Sequence, residues 1–309
     1  MLKKLVILPV LLALILTALL VLTASKGRIK NLVPPQVAKH DYVVMAVGDI
    51  ACGPNDQDKD CQDKRTAELI KSTNPDALFL LGDLQYQDGK SEDFQKFFGS
   101  TWQQFNSLAY PTPGNHDYLT PGATGYFNFY QNFYKNKQNK DYYSFNIGPW
   151  HLISLNSNCW AVAGCLADTP QEKWLVKDLQ DNPSKCTLAF WHHPFYTSGR
   201  QENLTAYRDF WKDLYNSGAD VVLNGHEHLY ERFAPQDNLG NKNDKGIREF
   251  VVGTGGINLY SFQKIQPNSE FRDNKDFGVL KLTLHSSSYD WQFISIDNQV
   301  LDAGSGQCH

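Results

Sequence analysis

The 309-residue chain has no excess of basic residues, no C-x-x-C pair, no internal repeat and no low-complexity tract beyond its first two dozen residues. A formal net charge of −4 leaves no electrostatic footprint for nucleic acid, though it leaves a nucleotide substrate open. Without a C-x-x-C, a structural zinc site is not expected. Without repeats, the length reads as one large domain or two small ones. What is present is ordinary in amount: 20% charged residues, and 41% apolar residues, enough for a sizeable core.

The N-terminus is a separate object. Lys3 and Lys4 precede an almost unbroken apolar stretch from Leu5 to Ala24, interrupted by Pro9 and Thr17. A basic start before such a run reads as an export signal or a membrane anchor, and its length is about enough to span a bilayer. Thr23 and Ser25 could serve a cleavage site, but there is no clear A-x-A motif, and basic residues flank both sides. Residues 1–25 are therefore expected to be a leader or anchor, 26–40 a linker, 41–298 the catalytic domain and 299–309 a tail. The domain is expected to be exported, either released or tethered through residues 5–24.

The six cysteines agree with export. Six allow fifteen full pairings, and sequence cannot choose among them. Local loop closure favours Cys52 with Cys61 and Cys159 with Cys165. Cys186 and Cys308 remain, and Cys186 reads equally as a buried thiol. Asn203-Leu204-Thr205 is a glycosylation acceptor only in a host that uses it.

Strands are predicted from near Tyr42, over Ala77–Leu81, Tyr142–Phe145, His151–Leu155, Leu188–Trp191, Val221–Leu223, Phe250–Val252, Gly278–Leu284 and Asp290–Ile296. Helices are predicted over Lys64–Ser72, after an N-cap at Ser91, over Tyr126–Tyr134, over Gln171–Leu179 with Pro170 in the first turn, and over Thr205–Ser217 before Gly218. Alternating strands and helices followed by a strand-rich end imply a layered α/β fold: a mixed sheet, or two packed sheets with helices outside.

Five apolar runs end in metal-binding types of residue. Tyr42–Gly48 stops at Asp49, and Ala77–Gly82 at Asp83. Ala109–Gly114 stops at Asn115 and His116, Leu188–Trp191 at His192 and His193, and Asp220–Gly225 at His226, with His228 two residues on. Ligands of open α/β sheets bind beyond the carboxyl ends of strands, so all five ends can converge. Five of the nine histidines sit there. A single Gly-Asp is usually a turn; all five segments in order describe a two-metal hydrolase. Such an enzyme needs a bridging anion between cations about 3.5–4 Å apart, terminal ligands for each, and donors for the charge that develops on phosphoryl and leaving-group oxygens.

The ordered set Gly48-Asp49, Gly82-Asp83-Leu84-Gln85-Tyr86, Gly114-Asn115-His116-Asp117, His192-His193-Pro194 and Gly225-His226-Glu227-His228 resembles the calcineurin-like metallophosphoesterases, and within them the purple acid phosphatases. Many metallophosphoesterases carry Asp-x-His in the first motif. Here Ala51 takes that histidine's place, while Tyr86 supplies the tyrosine of the purple enzymes. Gly253-Thr254-Gly255-Gly256 resembles their downstream glycine turn. There is no room for the fibronectin-like domain of the large plant enzymes, so the resemblance is to the small single-domain type.

The resemblance implies a sandwich of two mixed β-sheets flanked by helices. It implies two metal ions, Fe(III) plus divalent Fe, Zn or Mn. Asp49, Tyr86 and His228 would hold the ferric ion, Asp83 would bridge, and Asn115, His192 and His226 would hold the second metal. His116 would be catalytic, beside the leaving-group oxygen, and His193 would contact substrate or merely pack. Asp117 would orient a neighbour, and Tyr230, Glu231 and Arg232 would hydrogen-bond ligand imidazoles or be structural. His40, His151, His285 and His309 match no motif. The implied activity is hydrolysis of small phosphate monoesters by attack of a hydroxide held on the metals. The alternatives are a phosphodiesterase or nucleotide-cleaving enzyme with the same site, and a catalytically dead binding protein on this fold.

Overall fold

A computed structural model describes residues 41–54, 61–137, 141–200 and 204–309. The leader, linker and glycosylation readings, and His40, lie outside the described residues.

Among the described residues thirteen strands form two mixed sheets. The first runs β13-β12-β11-β1-β2-β3, with β1 (Tyr42–Val47), β2 (Ala77–Leu80), β3 (Ala109–Pro111), β11 (Gly278–Leu284), β12 (Ser288–Ser295) and β13 (Val300–Gln307). The second runs β10-β8-β9-β7-β6-β5-β4. Its members are β4 (Tyr143–Ile147), β5 (Trp150–Ser154), β6 (Cys186–Phe190), β7 (Val221–Asn224), β8 (Tyr230–Phe233), β9 (Arg248–Val252) and β10 (Ser269–Asp273). Pairing is parallel along β1-β2-β3 and along β5-β6-β7-β9, and antiparallel elsewhere.

The parallel strands are buried on both faces, so they read as continuous apolar runs without alternation. In β1, Val44 and Ala46 face the inter-sheet core with Phe79, Phe190, Leu223, Phe250 and Leu282. Met45 and Val47 face an outer core with Ile70, Phe94, Phe98 and Trp102. The other outer core packs Leu175, Trp211 and Leu214 on Ile153 and Val222. Leu175 lies on α2 (Pro170–Asp181), and Trp211 and Leu214 lie on α3 (Arg208–Asn216); α1 (Asp63–Thr73) covers the first sheet. Among the described residues no helix is long and apolar enough to cross a membrane.

The structure differs from expectation at four places. Ser91 is the first helical residue, after Lys90, and no side chain caps that end. The Tyr126–Tyr134 helix is two short ones, Thr124–Phe129 and Gln131–Tyr134. Residues 299–309 are not a tail: β13 pairs with β12 from Ser288↔Gln307 to Ile294↔Val300. Its composition, rich in glycine and short polar residues, hid this edge strand, because Gly304 and Gly306 lie under the Trp291 and Tyr289 rings, where a Cβ would collide. Finally, Cys186 is no free thiol. It joins Cys308, alongside the expected Cys52–Cys61 and Cys159–Cys165 bridges. The 122-residue separation of that bridge makes it the strongest constraint on the unfolded chain, about 5 kcal/mol in the chain-entropy account.

Candidate metal centre

The carboxyl ends of β1, β2 and β3 in one sheet, and of β6 and β7 in the other, open at the same edge of the sandwich, where backbone bonds join the loops. Asp49 N–H donates to Gly82 O at 3.0 Å, Gly225 N–H to His192 O at 2.9 Å, and Gly48 N–H to Val252 O across the sheets at 2.9 Å. Chain reversal there is tight. Asp49, Asp83 and His226 all have left-handed backbone, with φ of 61°, 50° and 70°. For residues with a Cβ this costs about 1–3 kcal/mol each and is typical of functional sites. Gly82 at φ 88° has a second constraint: a Cβ would stand 2.6 Å from His192 Nδ1.

All seven expected ligands converge in two overlapping sets. In the first, Tyr86 Oη lies 2.9 Å from Asp49 Oδ1, 3.0 Å from His228 Nε2 and 3.2 Å from Asp83 Oδ2. In the second, Asn115 Oδ1 lies 3.1 Å from His192 Nε2 and 2.9 Å from His226 Nδ1, and these two nitrogens are 3.2 Å apart. Asp83 Oδ2 is also 3.2 Å from His192 Nε2, so one oxygen belongs to both sets. Ligand atoms about 2.1 Å from a shared octahedral cation lie about 3.0 Å from one another. The observed spacings are those of such polyhedron edges, so the residues present fit a metal pair.

The surroundings fix these ligands. His192 Nδ1 bonds Leu81 O at 2.8 Å and His228 Nδ1 bonds Asn258 O at 2.7 Å, which turns each Nε2 toward the centre. The other oxygens of the carboxylates accept backbone N–H groups, Asp49 from His226 and Asp83 from His116, each at 2.7 Å. Asp117 accepts from Gly114 N–H and Leu84 N–H at 2.8 and 3.2 Å, the orienting role expected of it. Tyr230, Glu231 and Arg232 do not bond the imidazoles. Tyr230 and Arg232 hold Asp302 of β13, and Glu231 holds Ser198. Of the two roles left open for these three residues the structural one holds, and backbone carbonyls bond the imidazoles of His192 and His228.

Electrostatics agree with a cation site. Burial raises the Tyr86 phenol pKa, and the Asp49 and Asp83 carboxylates raise it further, far above the ordinary range. Only added positive charge would yield a phenolate there. Burial opposes charge on Asp83, yet the His192 imidazole prevails and holds its carboxyl below the usual range. Burial likewise opposes the His192 cation, but Asp83 lifts its pKa to about 9. The carboxylate that would hold a proton on His192 would equally hold a metal. Burial and then His192 press His226 down to about 4, the neutral form a ligand requires.

His116 stands outside both sets. Its Nδ1 bonds Gln87 O at 2.5 Å, and its ring lies 4.5 Å from the Tyr86 ring. His193 bonds Ser157 Oγ at 2.7 Å and lies 4.4 Å from the His226 ring, against Tyr207. His151, His285 and His309 pair elsewhere, with Asp178, with Asp41 and Asp290, and with Asp220. Sequence reasoning missed Tyr260, stacked 3.9 Å from His228, and the buried Glu249, which accepts Phe195 N–H and Tyr196 N–H just past His193. Neither carried a motif signal.

Residues 31–230 match the family described as calcineurin-like phosphoesterase, and residues 249–303 match iron/zinc purple acid phosphatase-like protein C. An Arabidopsis thaliana protein named Fe(3+)-Zn(2+) purple acid phosphatase 12 is 28% identical, over 69% of this chain and 52% of its own length. Probable inactive purple acid phosphatase 1 of the same plant is 26% identical, over 77% and 44%. The chain thus spans about half the length of these relatives. A purple acid phosphatase from yellow lupin (Lupinus luteus) seeds shares the fold at a TM-score of 0.75 and 22% identity, over 87% of this chain and 54% of its own. With the expected ligand residues gathered in order at one edge of two mixed sheets, these matches make the chain a member of the calcineurin-like phosphoesterases, with a C-terminal stretch like that of the iron/zinc purple acid phosphatases.

Proposed function

We propose that the protein is an exported binuclear-metal phosphatase that hydrolyses small phosphate monoesters, as an acid phosphatase does. The reading is carried by Asp83 Oδ2, which lies 3.2 Å from both Tyr86 Oη and His192 Nε2 and so belongs to both donor sets. Asp49, Tyr86 and His228 would hold Fe(III), hard oxygen donors suiting a hard cation. Asn115, His192 and His226 would hold divalent Fe, Zn or Mn, with Asp83 shared. Once bound, such a pair supplies Lewis acidity toward phosphoryl oxygens and a hydroxide nucleophile near neutral pH.

The chain's own groups orient and complete the reaction. The backbone N–H of His116 turns Asp83 so that its second oxygen faces both sets. The His116 ring, anchored by Nδ1–H on Gln87 O, keeps Nε2 for the departing alcohol oxygen; in its protonated, imidazolium form it gives the Nε2 proton to that oxygen and is left as the neutral ring. His193, steadied by Ser157, borders His226 where a phosphoryl oxygen would approach. The displacement is in line and needs no covalent enzyme intermediate.

Three disulfides support export, because such bonds persist in oxidising compartments. Residues 1–25 are then the leader or tether and 26–40 the linker.

Metal analysis and aryl phosphate hydrolysis test the proposal. The parent should carry about two metals per chain and absorb in the visible. Asp83→Asn and His226→Ala should lose metal and activity together. Full activity in either variant refutes the ligand assignment. An inactive, metal-free parent refutes the enzyme and leaves a binding protein on this fold. A diester cleaved faster than its monoester counterpart refutes monoester preference alone.

A further inference from the structure

Beyond the metal ligands, one cation is built into the same edge of the molecule. The loop from Phe195 to Arg200 follows His192 and His193, and three glutamates, one each from β9, β8 and the loop after β7, hold its backbone. Glu249 accepts Phe195 N–H at 2.8 Å and Tyr196 N–H at 3.0 Å, Glu231 accepts Ser198 N–H at 2.7 Å, and Glu227 accepts Arg200 N–H at 2.8 Å. Glu227 stands between His226 and His228 in the chain, so Arg200 is tied directly to the ligand segment. The opposite wall holds the loop too, with Gln263 N–H on Ser198 O at 2.8 Å.

The fixed backbone delivers the Arg200 side chain onto the Tyr260 ring, with Cζ 3.7 Å from the centroid. Tyr260 in turn stacks on His228 at 3.9 Å, nearly parallel at 16°. Guanidinium, phenol and imidazole thus form one three-layer stack. Arg200 is exposed, and among the described residues no ion pair engages its guanidinium. It lies two stacking distances from His228, a placement in which the guanidinium would meet a further charged group of a substrate whose phosphoryl group is held at the centre. The side also agrees. The Tyr86 ring contacts both His116, at 4.5 Å, and His228, at 5.8 Å, so the stack and the leaving-group histidine flank one half of the centre.

We propose that Arg200, stacked on Tyr260, sets substrate choice by receiving a second anionic group carried on the leaving-group part of the phosphate ester, a further phosphate or a carboxylate. The assignment rests on the phosphatase reading and adds the class of ester preferred. Arg suits the task because its planar fork binds an oxyanion while its face stays on an aromatic ring. Tyr260 is a positioning residue for it.

The experiment compares kcat/KM for p-nitrophenyl phosphate, pyrophosphate and 3-phosphoglycerate in the metal-loaded parent, Arg200→Met and Arg200→Lys. Arg200→Met should lower the ratio of pyrophosphate to p-nitrophenyl phosphate about tenfold, mainly through KM, the lower range for a charge-assisted hydrogen bond at an exposed site. Arg200→Lys should recover part of it. An equal loss for 3-phosphoglycerate identifies any second anion as the ligand; a loss confined to pyrophosphate narrows it to phosphate. Methylenediphosphonate, which cannot be cleaved, gives the same comparison as calorimetric binding against inorganic phosphate. If Arg200→Met changes all substrates by the same factor, Arg200 merely packs against Tyr260 and the assignment falls while the phosphatase reading stands. If the parent hydrolyses no phosphate ester, both fall.

Discussion

Replacing Tyr86 by Phe removes a single oxygen from the centre and leaves its packing in place. The ring remains between His116 and His228, fully buried, with nothing displaced. What is lost is the hydroxyl that donates to Asp49 Oδ1 at 2.9 Å and touches Asp83 and His228. A hydrogen bond to a charged acceptor is worth about 1.5–3 kcal/mol. In chelator-treated protein the variant should therefore melt about 3–6 °C lower for a domain of this size. In iron-loaded protein the loss is of another kind. The phenol, whose pKa burial and two carboxylates push far up, becomes an anion only on a cation, and tyrosinate on ferric iron gives the visible absorption. Tyr86→Phe should be folded and colourless. Calorimetry on the stripped protein and a visible spectrum on the loaded one separate the two effects. An iron-loaded variant that keeps the parent's band refutes phenolate ligation, and a fall in melting temperature beyond about 15 °C would mean the oxygen serves the fold.

Two further outcomes concern the frame. Cys186→Ser with Cys308→Ser opens the 122-residue loop and should cost about 5 kcal/mol, read as a lower denaturant midpoint with a higher m, because the unfolded chain is no longer held compact; an unchanged midpoint would refute the chain-entropy account of this bridge. Asp220 is buried, and burial pushes its carboxyl up to about 7 despite N–H bonds from Thr187 and His309. Because the folded pKa lies above the unfolded one, its contribution is full below about pH 4 and is lost as pH rises through about 7. Asp220→Asn should flatten the stability profile over that window, and a profile as steep as the parent's would refute the burial argument.

Much of the site was legible because each ligand ends a strand buried on both faces. Such strands are short apolar runs, and the first polar residue after each run marks a loop at the same sheet edge. Asp49, Asp83, His192 and His226 could be picked out this way, whereas Tyr86 was implied only by the resemblance to the purple acid phosphatases, in which a tyrosine accompanies the missing histidine at position 51. Arg200, Tyr260 and Glu249 could not. Their neighbours are distant in sequence, and an arginine in a loop or a glutamate in a strand has no local pattern that tells a buried partner from solvent. For the tyrosine-glutamate-arginine run at 230–232 the sequence left two roles open for the same reason, since adjacency to ligands says nothing about which way β8 turns its side chains, and the structure selects the structural one.

By itself the sequence determined which chemical groups the protein would bring together: carboxylates, an amide, a phenol and imidazoles, each tied to a strand end by the apolar run before it. Tertiary structure alone decided how those groups share atoms. That Asp83 Oδ2 serves both donor sets, that backbone carbonyls aim His192 and His228, and that Cys186 finds Cys308 are consequences of two sheets closing on one core. Contacts of this kind depend on the distances between segments far apart in the chain, and packing, which no local pattern encodes, sets those distances.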